Sequence, residues 1–432
     1  MSANIVGLIG LAVLLVLLFV RMWIAFALAL VGFLGFAYIG GMKAALGVLA
    51  TIPYSTVASY NMTVMPLFLL MGTIASVGGI SGDLYHTAYK WMGHLRGGLA
   101  MATIAACAGF AAICGSSMAT SGTMGKVAMP EMQKYHYDPK LASGCVASGA
   151  TLGILIPPSL GFILYAILTE ESVGLLFMAG ILPGILLAIL FIITIAIITQ
   201  RNPELGPRGP KTGFREKIAS LRHTWAMLCL FLLVMGGIYL GVFTPNEAGA
   251  IGAFGAILIT AITRRLSFRT FVQALVDTGQ ITAMILLLVV GAMIFMNFMA
   301  VSKLPFALAD ILSEISLPRH VIFAAIIFVY LILGCFLDIN AALILTLPII
   351  YPSVIALGFD PIWFGVTMVI TMEMGLITPP FGMNVFILGG VSGVPLATIF
   401  SGVIPFVFSM IVCLILITIF PQIALLIPSM MK

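Results

Sequence analysis

The chain has 432 residues, of which 62% are hydrophobic and 8% charged, with a formal net charge of +5. Soluble domains carry about 25% charged residues, so a water-soluble fold is excluded, and the continuous Leu-, Ile-, Ala- and Met-rich runs exclude a transmembrane β-barrel, whose strands alternate. The basic residues lie between apolar runs and form no stripe on a soluble face, so no nucleic-acid partner is implied; the chain reads as an all-α polytopic membrane protein in contact with lipid.

The first apolar run, 5–20, follows an N-terminus without a basic flank and reads as a retained first span, not a cleaved signal peptide. Orientation comes from the longest polar stretch, 201–222, where Arg201, Arg208, Lys211, Arg215, Lys217 and Arg222 outweigh Glu204 and Glu216 among prolines and glycines. The positive-inside rule makes this a cytoplasmic basic linker, 201–224, between two halves, 1–200 and 225–432. In the first half, spans at about 141–168 and 174–199 place Glu170 and Glu171 outside and Lys126, Lys134 and Lys140 inside. Arg96 belongs inside as well, so the apolar segment at about 97–125 starts and ends on the same side and is expected to be a re-entrant hairpin. In the second half, spans at about 225–243, 247–263 and 280–301 keep Arg264, Arg265 and Arg269 inside and put Lys303 outside. The segment at about 321–350, between Arg319 and Asp360, returns to the outer side, so a second hairpin is expected to enter from the opposite face, followed by a span at about 363–390. The sum is ten spans and two hairpins, with both termini outside. Cys107, Cys114, Cys145, Cys229, Cys335 and Cys413 show no metal-ligand spacing and read as small buried apolar residues.

A gapless shift of 222 residues lays the second half on the first. Pro130 meets Pro352, Pro139 meets Pro361, Pro157 and Pro158 meet Pro379 and Pro380, and Pro183 meets Pro405. Such agreement has a chance of roughly 10⁻⁴ over all shifts, which marks an internal repeat. Because the charge pattern orients the halves oppositely, the repeat is inverted in topology, an architecture of secondary transporters that present one site to either side.

Each half contains two interrupted apolar segments. The first hairpin carries GSSMATSGTMG at 115–125 and the next span GILIPPS at 153–159; the second half carries CFLDINAA at 335–342 and MGLITPPFGMN at 374–384. Proline removes a backbone donor and disfavours helix at the residue before it, so both Pro-Pro spans are expected to break near mid-membrane. Backbone broken at that depth survives only where its polar groups are occupied. Two converging breaks offer carbonyl and hydroxyl oxygens for a hard monovalent cation and half-helix N-termini for an anion, so Na⁺ with an organic anion is the simplest pair of occupants. Asp338, a carboxylate at mid-membrane with Asn340 beside it, sharpens this, and Glu373 is a further intramembrane carboxyl.

These motifs resemble the large membrane subunit (M subunit, DctM-like) of tripartite ATP-independent periplasmic (TRAP) transporters, over essentially the whole chain. The elements that carry the resemblance are GSSMATSGTMGKVAMPEM at 115–132, GATLGILIPPS at 149–159, FTPNEAGAIGA at 243–253 and GLITPPFGMNVF at 375–386. The resemblance implies an elevator-type carrier in a bacterial inner membrane, with hairpins and broken helices moving against a scaffold. It implies Na⁺-coupled uptake of a small carboxylate or sulfonate handed over by a soluble periplasmic binding protein, with a small four-helix membrane subunit as a separate chain. Carried over, one Na⁺ site uses Ser116, Ser117 and Thr120 with Thr151, Gly153 and Pro157. The other uses Asp338, Asn340 and Glu373 with Gly375 and Thr378, and substrate lies between, near Ser117, Ser159, Asp338 and Asn384. No arginine stands on either tip or break, so hydroxyls, N–H groups and the adjacent cations would hold the acid group.

A stand-alone Na⁺/carboxylate symporter of similar two-hairpin design is the alternative within transport. An intramembrane enzyme is disfavoured, because no paired carboxylates, Ser/His constellation or HExxH motif lies at mid-membrane. A passive channel is disfavoured because the polar residues cluster at two breaks and line no continuous path.

Overall fold

Aspartate followed by proline sets where the two central spans begin. Asp138 accepts the N–H bonds of Lys140 and Leu141 at 2.9 and 3.1 Å, and Asp360 accepts that of Trp363 at 2.9 Å. Pro139–Ala150 and Pro361–Gly375 thus start with a capped turn and a pre-set proline φ. The computed structural model that contains them describes residues 2–314 and 317–431, and it is helical, with no strand among the described residues.

Both spans then break where the sequence predicts. The first passes through a short turn, Leu152–Leu155, and a cis Pro157–Pro158 bond before resuming as Leu160–Thr169. The second loses its helix after Gly375, passes a cis Pro379–Pro380 bond and resumes as Met383–Ser392. Each follows a helical hairpin: Gly98–Cys114 with Ser117–Lys134 in the first half, Arg319–Phe336 with Ile339–Ala356 in the second. The return arms of the two hairpins are offset by the same 222 residues at both ends, and so are the cis prolines.

Polar contacts tie each hairpin's two ends to one face. On the linker face, the Gly97 N–H donates to the Gly206 carbonyl at 2.9 Å and the Asp138 N–H to that of Leu205 at 3.0 Å. The Tyr137 hydroxyl donates to the Pro207 carbonyl at 2.9 Å and accepts from the Leu99 N–H at 3.1 Å. Both ends of the first hairpin therefore rest on the basic linker. The second hairpin closes on the far side: the Arg319 guanidinium lies 5.4 Å from the Phe359 ring centroid. The Tyr165 hydroxyl, near the end of the first broken span, donates to the Pro361 carbonyl at 2.7 Å, and Tyr351 donates to Glu171 at 2.8 Å. The first broken span joins these faces and is the most enclosed of the long helices, with 94% of its most apolar window buried against 28% for Val173–Arg201.

Several boundaries differ from expectation. The first hairpin returns to Lys134, not to about 125, because Met129 and Met132 continue its buried face past Pro130. The linker is shorter than 201–224, since helix begins at Phe214 and bonds back to the neighbouring Gly79–Gly93 region: Lys90 pairs with Glu216 at 3.1 Å, and Thr87 donates to the Ser220 carbonyl at 3.0 Å. The expected span at 280–301 is part of a 35-residue helix, Phe268–Ser302. Cys229 is exposed, unlike the other five cysteines. Eight helices among the described residues are long and apolar enough to cross a membrane, or nine if the bent helix at 214–239 counts as one span. That differs from the expected ten, because two of the eight are arms of the second hairpin, because Ala3–Phe19 and Ile24–Gly40, at 17 residues each, sit at the lower limit of a span, and because the second broken span is divided into Pro361–Gly375 and Met383–Ser392, each too short to count.

The first broken span crosses Leu396–Ile419 at its closest point through Gly144 and Gly402, where a Cβ on either would collide with a backbone carbonyl of the other helix. Gly402→Val should therefore destabilise the fold by about 1–3 kcal/mol, read as a lower Tm of the detergent-purified protein. Gly47→Ala, at a helical position with open space around it, should be neutral or slightly stabilising in the same measurement.

Candidate functional site

The first hairpin turns at Gly115, which has φ +65° and no room for a side chain, since a Cβ would lie 2.7 Å from the Pro158 carbonyl oxygen. Its own carbonyl accepts the Leu160 N–H at 3.3 Å, so the tip occupies the gap that the proline pair opens in the neighbouring span. Ser116 caps the return arm by accepting from the Ala119 N–H at 3.3 Å, and the Thr120 hydroxyl donates to the Ser116 carbonyl at 2.8 Å. Gly153 packs on this group, both oxygens lying 2.8 Å from its Cβ position. Beyond the break, Ser159 caps Leu160–Thr169 through the Phe162 N–H at 3.3 Å.

The second half repeats the design with different side chains. Asp338 stands where the first half has Ser116, and it caps its return arm by accepting the Asn340 and Ala341 N–H groups, each at 3.3 Å, and the Asn340 side-chain amide at 3.2 Å. Gly375 stands where the first half has Gly153 and packs on the end of the outgoing arm, its Cβ position 2.8 Å from the Cys335 nitrogen. The Thr378 hydroxyl donates to the Met374 carbonyl at 2.6 Å, and the Asn384 N–H reaches back to the Leu376 carbonyl at 3.1 Å.

Each return arm also touches the opposite half. The Ser121 hydroxyl donates to the Asn384 carbonyl at 2.9 Å, and Gly122 and Gly125 leave room for Ile387 and Leu388. One turn earlier on the same face, the Ser117 hydroxyl is the polar group beside the Glu373 carboxyl, without a completed hydrogen bond. The second return arm reaches the first broken span through Ile339, which lies 3.5 Å from the Cβ position of Gly161.

Of the first expected Na⁺ set, the structure brings Ser116, Thr120 and Gly153 together and sets Pro157 in the break under the tip. Thr151 instead donates within its own span, to the Ser148 carbonyl at 2.6 Å, and Ser117 faces Glu373. Of the second set, Asp338 and Asn340 are bonded to one another and Gly375 abuts their hairpin, whereas Glu373 lies beside the other hairpin. Of the expected substrate group, Ser117, Ser159 and Asn384 are fully buried and Asp338 is half-buried. Ser121, a further hydroxyl of the first tip's GSSMATSGTMG motif, lies four residues beyond Ser117 on the same helix face and makes the contact to the opposite half.

On the face away from the linker, a cavity of about 720 Å³ opens between the end of the first broken span and the helices around it. Ser55, Tyr60, Asn61, Glu170, Glu171 and Asn246 are among its lining. The Asn246 amide fixes one wall by donating to the Tyr60 carbonyl at 2.6 Å and the Thr63 hydroxyl at 2.9 Å.

The family model for the DctM component of the tripartite ATP-independent periplasmic transporters matches residues 11–423. The chain is 36% identical over 377 residues to a C4-dicarboxylate TRAP transporter large permease protein of Pseudomonas aeruginosa, covering 87% of this chain and 88% of that one. It is 31% identical to a sialic acid TRAP transporter large permease protein of Vibrio cholerae, covering 86% and 87%. It is 32% identical to an isethionate TRAP transporter permease protein of Oleidesulfovibrio alaskensis, covering 87% of this chain but 59% of that longer one. Among solved structures, the Alcanivorax borkumensis YdaH transporter superposes with a TM-score of 0.64 at 15% identity, covering 89% of this chain and 88% of that one, a likeness of fold alone.

Asn serves as a helix cap about as well as Asp, whereas Ala does not. Asp338→Asn should leave the Tm of the purified protein nearly unchanged, and Asp338→Ala should cost about 1 kcal/mol of stability, seen as a lower Tm.

Proposed function

We propose that this chain, which belongs to the DctM component family of the tripartite ATP-independent periplasmic transporters, is the permease subunit of a Na⁺-driven importer of a small organic acid. The chain is a multi-pass membrane transporter component and not an enzyme. We place it in the bacterial inner membrane, beside a small four-helix subunit on a separate chain, with substrate delivered by a soluble periplasmic binding protein. The relatives' names point to carboxylates and a sulfonate as the substrate class.

The observation that carries this reading is the interlock of the four interrupted elements. Each hairpin tip abuts the break of its own half, and each return arm lies on the broken span of the other half. Elements bonded to each other in this way can move as one body against the remaining helices, which supports an elevator-type cycle. The hairpins' opposite attachments, to the linker on one face and to Tyr165 and Glu171 on the other, support an inverted repeat.

In this mechanism one Na⁺ sits at the first tip, among Ser116, Thr120 and the carbonyls around Gly153–Pro157. A second sits at Asp338 and Asn340 with the carbonyls around Gly375–Thr378. Sodium neutralises Asp338 and supplies positive charge beside the acid group, which hydroxyls and half-helix N–H groups hold in the absence of an arginine. Each Na⁺ moving inward through 100 mV releases about 2.3 kcal/mol, so two ions outweigh the charge of one monoanion. The cavity beside Glu170 and Glu171 is the outward vestibule, and its carboxylates attract the coupling cation.

The test is uptake of radiolabelled C4-dicarboxylates, sugar acids and sulfonates into liposomes holding the permease complex, with the Na⁺ gradient and the binding protein each present or omitted. Uptake that needs both is the expected result; uptake without the binding protein would favour the stand-alone symporter. Asp338→Asn should reduce Na⁺-dependent uptake at least tenfold while the complex still assembles, and wild-type uptake by this variant would remove Asp338 from the coupling.

A further inference from the structure

Among the described residues, eleven buried side-chain polar atoms have no hydrogen-bond partner, and five of them belong to Glu373, Ser117 and Asn384. The other six are single atoms on six different residues. Buried polar groups are nearly always bonded in native proteins, because the alternative is to lose water and gain nothing. A concentration of orphans at one seam therefore points to an occupant, most of all when one of them is a carboxyl.

The three side chains are all but completely buried, with exposures of 1% for Glu373 and 0% for Ser117 and Asn384. They come from opposite halves of the chain and are held in place by backbone bonds that leave the side chains free. Ser121, one turn beyond Ser117, donates to the Asn384 carbonyl at 2.9 Å, and the Asn384 N–H donates to the carbonyl of Leu376, one turn beyond Glu373, at 3.1 Å. The salt bridges among the described residues are Lys90 with Glu216 and Arg265 with Asp83, so no basic side chain pairs with Glu373. The Ser117 hydroxyl lies beside the carboxyl. What the seam offers is a carboxylate, a hydroxyl and an amide oxygen, the donor set of a hard cation.

We propose that Glu373, Ser117 and Asn384 form a further Na⁺ site, separate from the two at the hairpin tips, which bridges the halves and is complete only when the first hairpin lies closed on the second broken span. The proposal rests on the Na⁺-driven reading and assigns Glu373 and Ser117 to this seam and not to the tip sites. A bidentate Glu373, the Ser117 hydroxyl and the Asn384 amide oxygen supply four oxygens. An ion there stabilises the closed seam, because opening it would separate Ser117 on one element from Glu373 and Asn384 on the other. The equivalent place in the other seam has Thr151 for Glu373 and Phe162 for Asn384, so the site exists once per chain.

The experiment is equilibrium binding of ²²Na⁺ to the detergent-purified permease complex, with the Na⁺-dependent rise in Tm as a second readout. Glu373→Gln should bind one Na⁺ fewer than wild type, and Asp338→Asn should also bind one fewer, with the double variant two fewer. Ser117→Ala, which keeps the carboxylate, should retain the ion with its half-saturation raised by roughly tenfold. This milder variant keeps the test decisive if Glu373→Gln fails to fold. Wild-type stoichiometry in Glu373→Gln, or an unchanged half-saturation in Ser117→Ala, would overturn the seam site while leaving the tip sites standing. A wild-type complex that binds no Na⁺ would overturn the sodium-driven reading and this site together.

Discussion

A backbone interrupted at membrane depth must find partners inside the protein, because hydrocarbon offers none. The rest of this structure follows from meeting that requirement twice. Where the first span opens at Pro157 and Pro158, the Gly115 carbonyl accepts the Leu160 N–H. Where the second opens at Pro379 and Pro380, the Asn384 N–H turns back to Leu376 and its carbonyl accepts from Ser121. The hairpins are the pieces that fill the gaps, which is why their tips are polar or glycine-rich. Their tight seating also explains the glycines at 153 and 375, since each faces a hairpin backbone where a Cβ would have to displace main chain.

The same demand creates the chemistry. Filling a mid-membrane break with capped half-helices brings Ser116, Ser159 and Asp338 to the centre as N-caps, and each accepts bonds from its own helix. A cap carries oxygen atoms that a cation can share and sits where the helix dipole favours an anion. The structural caps and the proposed ligand-binding groups are thus the same residues. The two halves share this frame but differ in polarity: Ser116 in one is Asp338 in the other, and the seam of serines against Glu373 and Asn384 has as its counterpart Ile339 against Gly161.

Away from the centre, the helices are held by contacts that need no burial of charge. The Arg265 guanidinium reaches both Asp83 and the Gly78 carbonyl, and the Thr244–Glu247 capping box starts Pro245–Ile262 at the opposite face. These ties join the outer helices to one another.

The sequence alone determined the helical class, the membrane setting and the positions of both breaks, because composition, charge between runs and proline act locally and need no partner to be felt. Asp338 and Glu373 were legible for the same reason, since an ionisable residue in an apolar run stands out whatever surrounds it. Hairpin limits were less legible: nothing local marks the end of an arm when Met129 and Met132 carry its buried face beyond Pro130. Which groups meet was decided only by the tertiary structure. Glu373 and Asp338 both lie near the second half's break, yet Glu373 faces Ser117, more than two hundred residues away in the chain, because the return arm of the first hairpin crosses to the opposite half. A helix's buried face can be read from its own periodicity, but the partner of that face depends on how separate elements cross, and no local signal encodes that.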